Sequence, residues 1–134
     1  MSAPVVTMSA MSDDLDDRLR RIGQHPFRAR FHLHGRDRAI VDLRGIETVR
    51  RHAREIVDQR LAPAEPRNDG KQTPYRGHPV FVAQHATATC CRTCLSRWHG
   101  IHKGHALTDG EREYVVEAIS RWIVAEYLPN MPPA

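Results

Sequence analysis

Residues 78–101 read HPVFVAQHATATCCRTCLSRWHGI, and the fold turns on whether this stretch is one helix or two elements. It holds all three cysteines, three of the nine histidines and one of the two tryptophans. Read as one helix, it opens at Pro79, whose missing N–H costs nothing at the first helical position. At about 100° per residue, Val80, Ala83, Thr87, Cys90, Cys91, Cys94, Trp98 and Ile101 then share one side. His85, Thr89, Arg92, Ser96 and His99 form a polar stripe on the other. An apolar stripe opposite a polar one marks a helix laid on a core, with the cysteines acting as small core hydrophobes.

The second reading breaks the stretch. Val80 to Ala83 becomes a short strand, Cys91 and Cys94 a C-x-x-C turn, and a helix starts after it. His85 and His99 can then complete a zinc site with the two sulfurs. A lone C-x-x-C is a weak signal, because no second pair stands at matching spacing. On one ideal helix Cys94 and His99 would also sit ~140° apart. Leu95 stands where a c-type haem motif needs histidine. The adjacent pair Cys90 and Cys91 fits no common iron–sulfur spacing.

Outward from this stretch, the helical signals strengthen. Ile46, Val49, Ala53, Ile56, Val57 and Leu61 recur at helical spacing and predict a helix over 45–62, ended by Pro63. Thr108 and Glu111 make a T-x-x-E capping box that starts a helix over 108–127. A shorter helix begins near Ser12, with Leu15, Leu19 and Ile22 as its apolar edge and Gly23 as its stop. Phe27, Ala29, Phe31 and Leu33 alternate with Arg28, Arg30, His32 and His34, the pattern of a half-buried strand and of a hairpin over 27–43. The expectation is a mainly α domain with a three-helix core at 45–62, 79–100 and 108–127. An α+β arrangement stays open if the hairpin forms. Residues 1–11 are expected to be a disordered leader, 12–128 one globular domain and 129–134 a Pro-rich tail.

Composition bounds the partners. At 134 residues and 27% charged, the chain has the size and balance of one ordinary globular domain. No run approaches the ~18 apolar residues of a membrane span, and no secretory leader is evident, so a cytoplasmic location is expected. An odd number of cysteines, two of them adjacent, makes a poor disulfide framework. The net charge is +4, and arginine supplies all but two of the twenty basic residues, the exceptions being Lys71 and Lys103.

The segment NDGKQTPYRGHPVFVAQHATATCCRTCLSRWHGI resembles the signature of a small bacterial family known only as domain-of-unknown-function family 4186. The resemblance extends from about Phe27 to Trp122. It implies a compact single-domain intracellular protein and carries no assigned activity. The matching positions are Asp69, Gly70, Lys71, Gln72, Thr73, His78, His85, Cys90, Cys91, Arg92, Cys94, Trp98 and His99. His102 and His105 depart from the pattern, which sets them aside as ligands.

Three functions are consistent with these residues. The first is an anion site where the fifteen-residue loop PAEPRNDGKQTPYRG, residues 63–77, meets the central helix. Lys71, Gln72, Arg76, His78 and Arg92 would hold a phosphate or carboxylate, with His85 and His99 as acid–base groups. The second is a zinc site from Cys91, Cys94 and two of His78, His85 and His99. The third is a small nucleic-acid-binding module using the Arg28, Arg30 and His32 face.

Overall fold

In the computed structural model, residues 8–130 are described, with side chains from 14 to 129. Helix α3 (Ile46–Arg60) and helix α6 (Asp109–Tyr127) form the central pair. Val49, Ala53 and Val57 of α3 pack with Val115, Val116, Ile119 and Ile123 of α6 in one buried cluster. The i, i+4, i+8 spacing of the α3 residues is what makes that stripe continuous. The capping box forms as the sequence predicts: Thr108 Oγ1 accepts from the Glu111 amide at 3.1 Å, and Glu111 Oε1 from the Thr108 amide at 2.9 Å.

Around this pair run α1 (Met8–Gly23), α2 (Gly35–Arg44), α4 (Pro79–Ala86) and α5 (Arg92–His99), with 3-10 turns at Arg28–Arg30 and Leu128–Asn130. The chain is mainly helical, and no strand occurs among the described residues. None of these helices is long and apolar enough to cross a membrane. Of the expected leader, residues 1–7 lie outside the described residues, while residues 8–11 belong to α1. Residues 131–134 of the expected tail also lie outside them.

Two expectations need correction. The hairpin over 27–43 is instead a 3-10 turn followed by α2. Its alternation spans too few residues to outweigh local helical contacts: Phe27 meets Phe31 edge-on at 5.3 Å, an i, i+4 pair. The single Gly45, at φ 83°, closes α2 through its amide to Val41 O and turns the chain directly into α3. A side chain there would be strained.

The central stretch, expected as one helix over 79–100, is two short helices with a break at residues 87–91. The break is a C-cap built without glycine. Ala88 takes the left-handed conformation at φ 57°, and the Thr89 amide reaches back to Gln84 O at 2.8 Å. That is the 6→1 bond of a Schellman closure, with alanine in the place glycine usually occupies. Thr87 Oγ1 reinforces it by donating to Ala83 O at 2.7 Å, a side-chain bond that competes with helix propagation. Val80–Ala83, the strand of the two-element reading, belongs to α4.

After the break, Cys91 caps α5 and Gly100 ends it, with amides of Gly100 and Ile101 bonded to Ser96 O and Leu95 O. Arg92 at the start of α5 is fully buried, at 0% exposure. Its guanidinium donates to four carbonyls: Leu61 O at 3.3 Å, Pro63 O at 2.7 Å, His102 O at 3.2 Å and His105 O at 2.7 Å. One side chain therefore ties the exit of α3 to the connection before α6. The Arg92 expected to face outward points inward, where its guanidinium meets these four carbonyls.

Replacing Arg92 with Met should strand those carbonyls and lower unfolding free energy by about 3–5 kcal/mol, read from urea midpoints. Arg92→Lys should recover only part, since one ammonium cannot span both pairs.

Candidate metal centre

The break at residues 87–91 and the start of α5 gather the cysteines. The Sγ atoms of Cys90, Cys91 and Cys94 all lie within 4.8 Å of one another. Cys90 and Cys91 are buried, and Cys94 is partly exposed. Each sulfur is placed by local geometry. Cys91 is the N-cap of α5 and its Sγ accepts the Cys94 amide at 3.4 Å. Cys94 lies one helical turn in, so its sulfur returns to the helix N-terminus. Cys90 lies in the break just before that cap, held there by Thr73 Oγ1 donating to Cys90 O at 2.8 Å.

Arg28 completes the cluster from the other end of the chain. Its Nη2 donates to Cys94 Sγ at 3.2 Å, and its Nη1 lies 2.7 Å from His85 O and 3.6 Å from Cys90 Sγ. Cys90 Sγ stands 3.6 Å from Cys94 Sγ and donates to it. Hydrogen bonds from Cys90 and Cys91, then the Arg28 guanidinium, hold Cys94 far below the usual thiol range. Cys90 is driven well above that range by its bonds to Cys91 and Cys94 and by burial. The three sulfurs titrate as a coupled set, and the guanidinium of Arg28 favours negative charge on it at Cys94.

His85 borders this centre. Its Nε2 faces Thr73 O at 3.1 Å, so Nε2 carries the proton and donates it. Nδ1 is then a bare lone pair, buried and without a partner. The ring is stacked by Tyr75 at 4.4 Å and Phe31 at 5.4 Å. Burial lowers the His85 pKa, and among the charges it feels are Arg28 and Cys91.

The remaining candidate residues are not brought together. His78 caps α4, its Nδ1 accepting the Val80 amide at 3.1 Å. Its proton therefore sits on Nε2 and goes to His52 Nδ1, 3.1 Å away, which leaves no lone pair for a metal. His99 donates from Nε2 to Thr87 O at 2.7 Å and accepts at Nδ1 from Tyr114 OH at 2.8 Å. Both its nitrogens are spent. It faces a cleft of about 920 Å³ between α1, α3, α5 and α6, apart from the sulfurs.

The 63–77 loop does not converge on an anion either. Gln72 folds back onto Gly70 N and Asp69 Oδ1, and Asp69 Oδ1 accepts the Arg92 amide at 3.1 Å. Lys71 and Arg76 are exposed, and Arg92 is committed to carbonyls. The loop's organised work is done by Thr73, which clamps Cys90 and His85 together. Sequence reading placed Cys90 in the core and Arg28 on a solvated face. Nothing local to Arg28 marks it, because its partners are more than fifty positions away.

Together these features define a small, mainly helical protein whose densest chemistry among the described residues is a thiol cluster at a helix N-terminus, backed by a buried arginine. Residues 16–124 match the family described as Domain of unknown function (DUF4186), and the chain belongs to that family. No solved structure matches it.

Burial, first of all, pushes His99 and His78 down to about 4 from an ordinary 6.5. Both are neutral when folded, so stability is full above pH 6.5. It falls between 6.5 and 4, where only the unfolded chain takes up protons. His99 alone should remove roughly 3 kcal/mol across that window, read from urea melts at pH 7, 5.5 and 4. A His99→Gln chain should lose correspondingly less.

Proposed function

We propose that this protein binds a thiophilic divalent metal, zinc first, through Cys90, Cys91 and Cys94, with His85 Nδ1 as the fourth donor. The observation that carries the reading is the convergence of the three sulfurs. Tetrahedral zinc with Zn–S near 2.3 Å needs sulfurs about 3.8 Å apart. Cys90 and Cys94 stand at 3.6 Å, and the full set lies within 4.8 Å.

Charge supports it as well. Three thiolates and a divalent ion leave one negative charge, which Arg28 cancels from hydrogen-bonding distance. His85 has the hydrogen bonding of a ligating histidine, one nitrogen donating to a main-chain carbonyl and the other free. Closing the sphere requires the ring to advance toward the sulfurs, which alone make up the 4.8 Å group. This donor set differs from the one expected from sequence: Cys90 joins Cys91 and Cys94, while His78 and His99 drop out. Four protein donors leave no place for a reactive water, so the site stabilises structure rather than hydrolysing a substrate.

An anion site at the 63–77 loop has less support, since Gln72 and Arg92 are engaged within the chain. Protein purified under a phosphine reductant without chelator should carry one equivalent of zinc by elemental analysis. Cobalt(II) loading should give intense thiolate-to-metal absorption. Cys94→Ser should abolish both. His85→Gln should weaken the metal by 10–100-fold and alter the cobalt bands. Metal-free wild-type protein that ignores added cobalt would refute the centre. Unchanged bands in His85→Gln would remove His85 alone.

A further inference from the structure

Tyr75 is an aromatic side chain left in solvent, 63% exposed, in a loop otherwise tied down. Two residues before it, Thr73 is buried and bonded on both sides, to Cys90 O and to His85 Nε2. Two residues after it, the Gly77 amide donates to Asp37 at 3.1 Å. The ring itself lies on His85 at 4.4 Å, with an interplanar angle of 17°, and runs nearly parallel to Phe31 at 6.3 Å and 7°. Tyr75 is therefore positioned by two neighbouring rings while most of its surface stays exposed. A pre-positioned flat ring loses little entropy when something stacks on it.

Cations adjoin it in the chain: Arg30 precedes Phe31 and Arg76 follows Tyr75, and both are exposed. Lys71 is exposed in the same loop. No hydrogen bond or ion pair of these three side chains occurs among the described residues. In segments 28–38 and 60–78, apart from Arg28 at the sulfurs and Arg38 against Tyr127, six arginines and lysines stand against three acids, of which Asp37 and Asp69 accept from the Gly77 and Arg92 amides. An exposed stacking ring amid unpaired cations matches a base and its phosphates, not an apolar protein surface.

We propose that the Tyr75 face binds single-stranded nucleic acid, one base stacking on Tyr75 while Arg30, Arg76 and Lys71 meet the backbone. This face adjoins the proposed metal centre through His85, on whose ring Tyr75 stacks, but uses none of its sulfurs, and it replaces the face expected from sequence. There Arg28 is buried at the sulfurs and His32 pairs with Glu126. The exposed ring suits a single strand, whose bases are free to stack, over a duplex, whose bases are not.

The test is fluorescence anisotropy of the full chain with a labelled twelve-nucleotide oligothymidylate and a duplex of equal length. The single strand should bind more tightly than the duplex. About three phosphate contacts predict a log–log salt slope near −2. Tyr75→Ala should weaken binding about tenfold and leave the slope unchanged, and Tyr75→Phe, which keeps the ring, should bind like wild type. Arg30→Ala and Arg76→Ala should each flatten the slope by about 0.7. No binding at 50 mM salt, a preference for duplex, a salt-independent affinity, or equal affinity for wild type and folded Tyr75→Ala would each overturn the proposal.

Discussion

The guanidinium of Arg92 is the constraint on which the rest of the molecule rests. It lies fully buried and holds four carbonyls from two separate connections, one leaving α3 and one leading to α6. Its amide is fixed by Asp69, and the Leu107 amide closes the same seam onto Ala62 O. Arginine suits this position because a rigid fork of donors can serve carbonyls on two sides at once, and its weaker hydration lowers the cost of burial. The carbonyls at the end of α3 add the negative end of a helix dipole to the balance. With Arg92 held, the start of α5 is held, and the start of α5 is where the cysteines are.

A second buried arginine does different work. Arg28 meets sulfur and one carbonyl, where Arg92 meets only carbonyls. Both act at the first turn of α5, Arg92 as one of its residues and Arg28 through Cys94, so the sulfur cluster is supported by main-chain bonds and by charge at once. In the proposed metal centre this matters for assembly. Three thiolates brought together without a cation repel one another, and a positive neighbour offsets that repulsion before any metal arrives. Hydrogen bonds shared among the sulfurs let the metal-free site carry less charge than three thiolates would. Metal binding would release the remaining protons and tighten the 63–77 loop through Thr73, coupling the site to folding.

Much of the helical content was legible because it is local. The apolar residues at helical spacing from Ile46 to Leu61, the Thr108–Glu111 capping box and the apolar face of α6 each determine an element within one stretch of chain. The family resemblance was legible too, and the match over residues 16–124 extends beyond the segment that carries it. The break in the central stretch was harder to see. Its left-handed position holds Ala88 rather than glycine, and the only local sign is the pair Thr87 and Thr89, whose hydroxyls bond to each other at 3.0 Å. The hairpin expected at 27–43 failed for a related reason, since an alternation of seven residues cannot choose strand over helix without a partner strand.

The sequence by itself determined which segments are helical, where the strongest caps lie and that the cysteines and histidines are concentrated in one stretch. Only the tertiary structure decided which of them meet. Helical periodicity reports which side of a segment is apolar, and it set the sulfurs inward with Arg92 and the imidazoles outward. The fold buries both sets, because a short helix in the middle of a small domain is covered on nearly every side. Burial then favours partners for the polar groups it encloses, and His85 Nδ1 is one atom left without any. Arg92, His78, His99 and Arg28 found theirs across tens of residues of intervening chain, a choice made by three-dimensional proximity that no local spacing encodes.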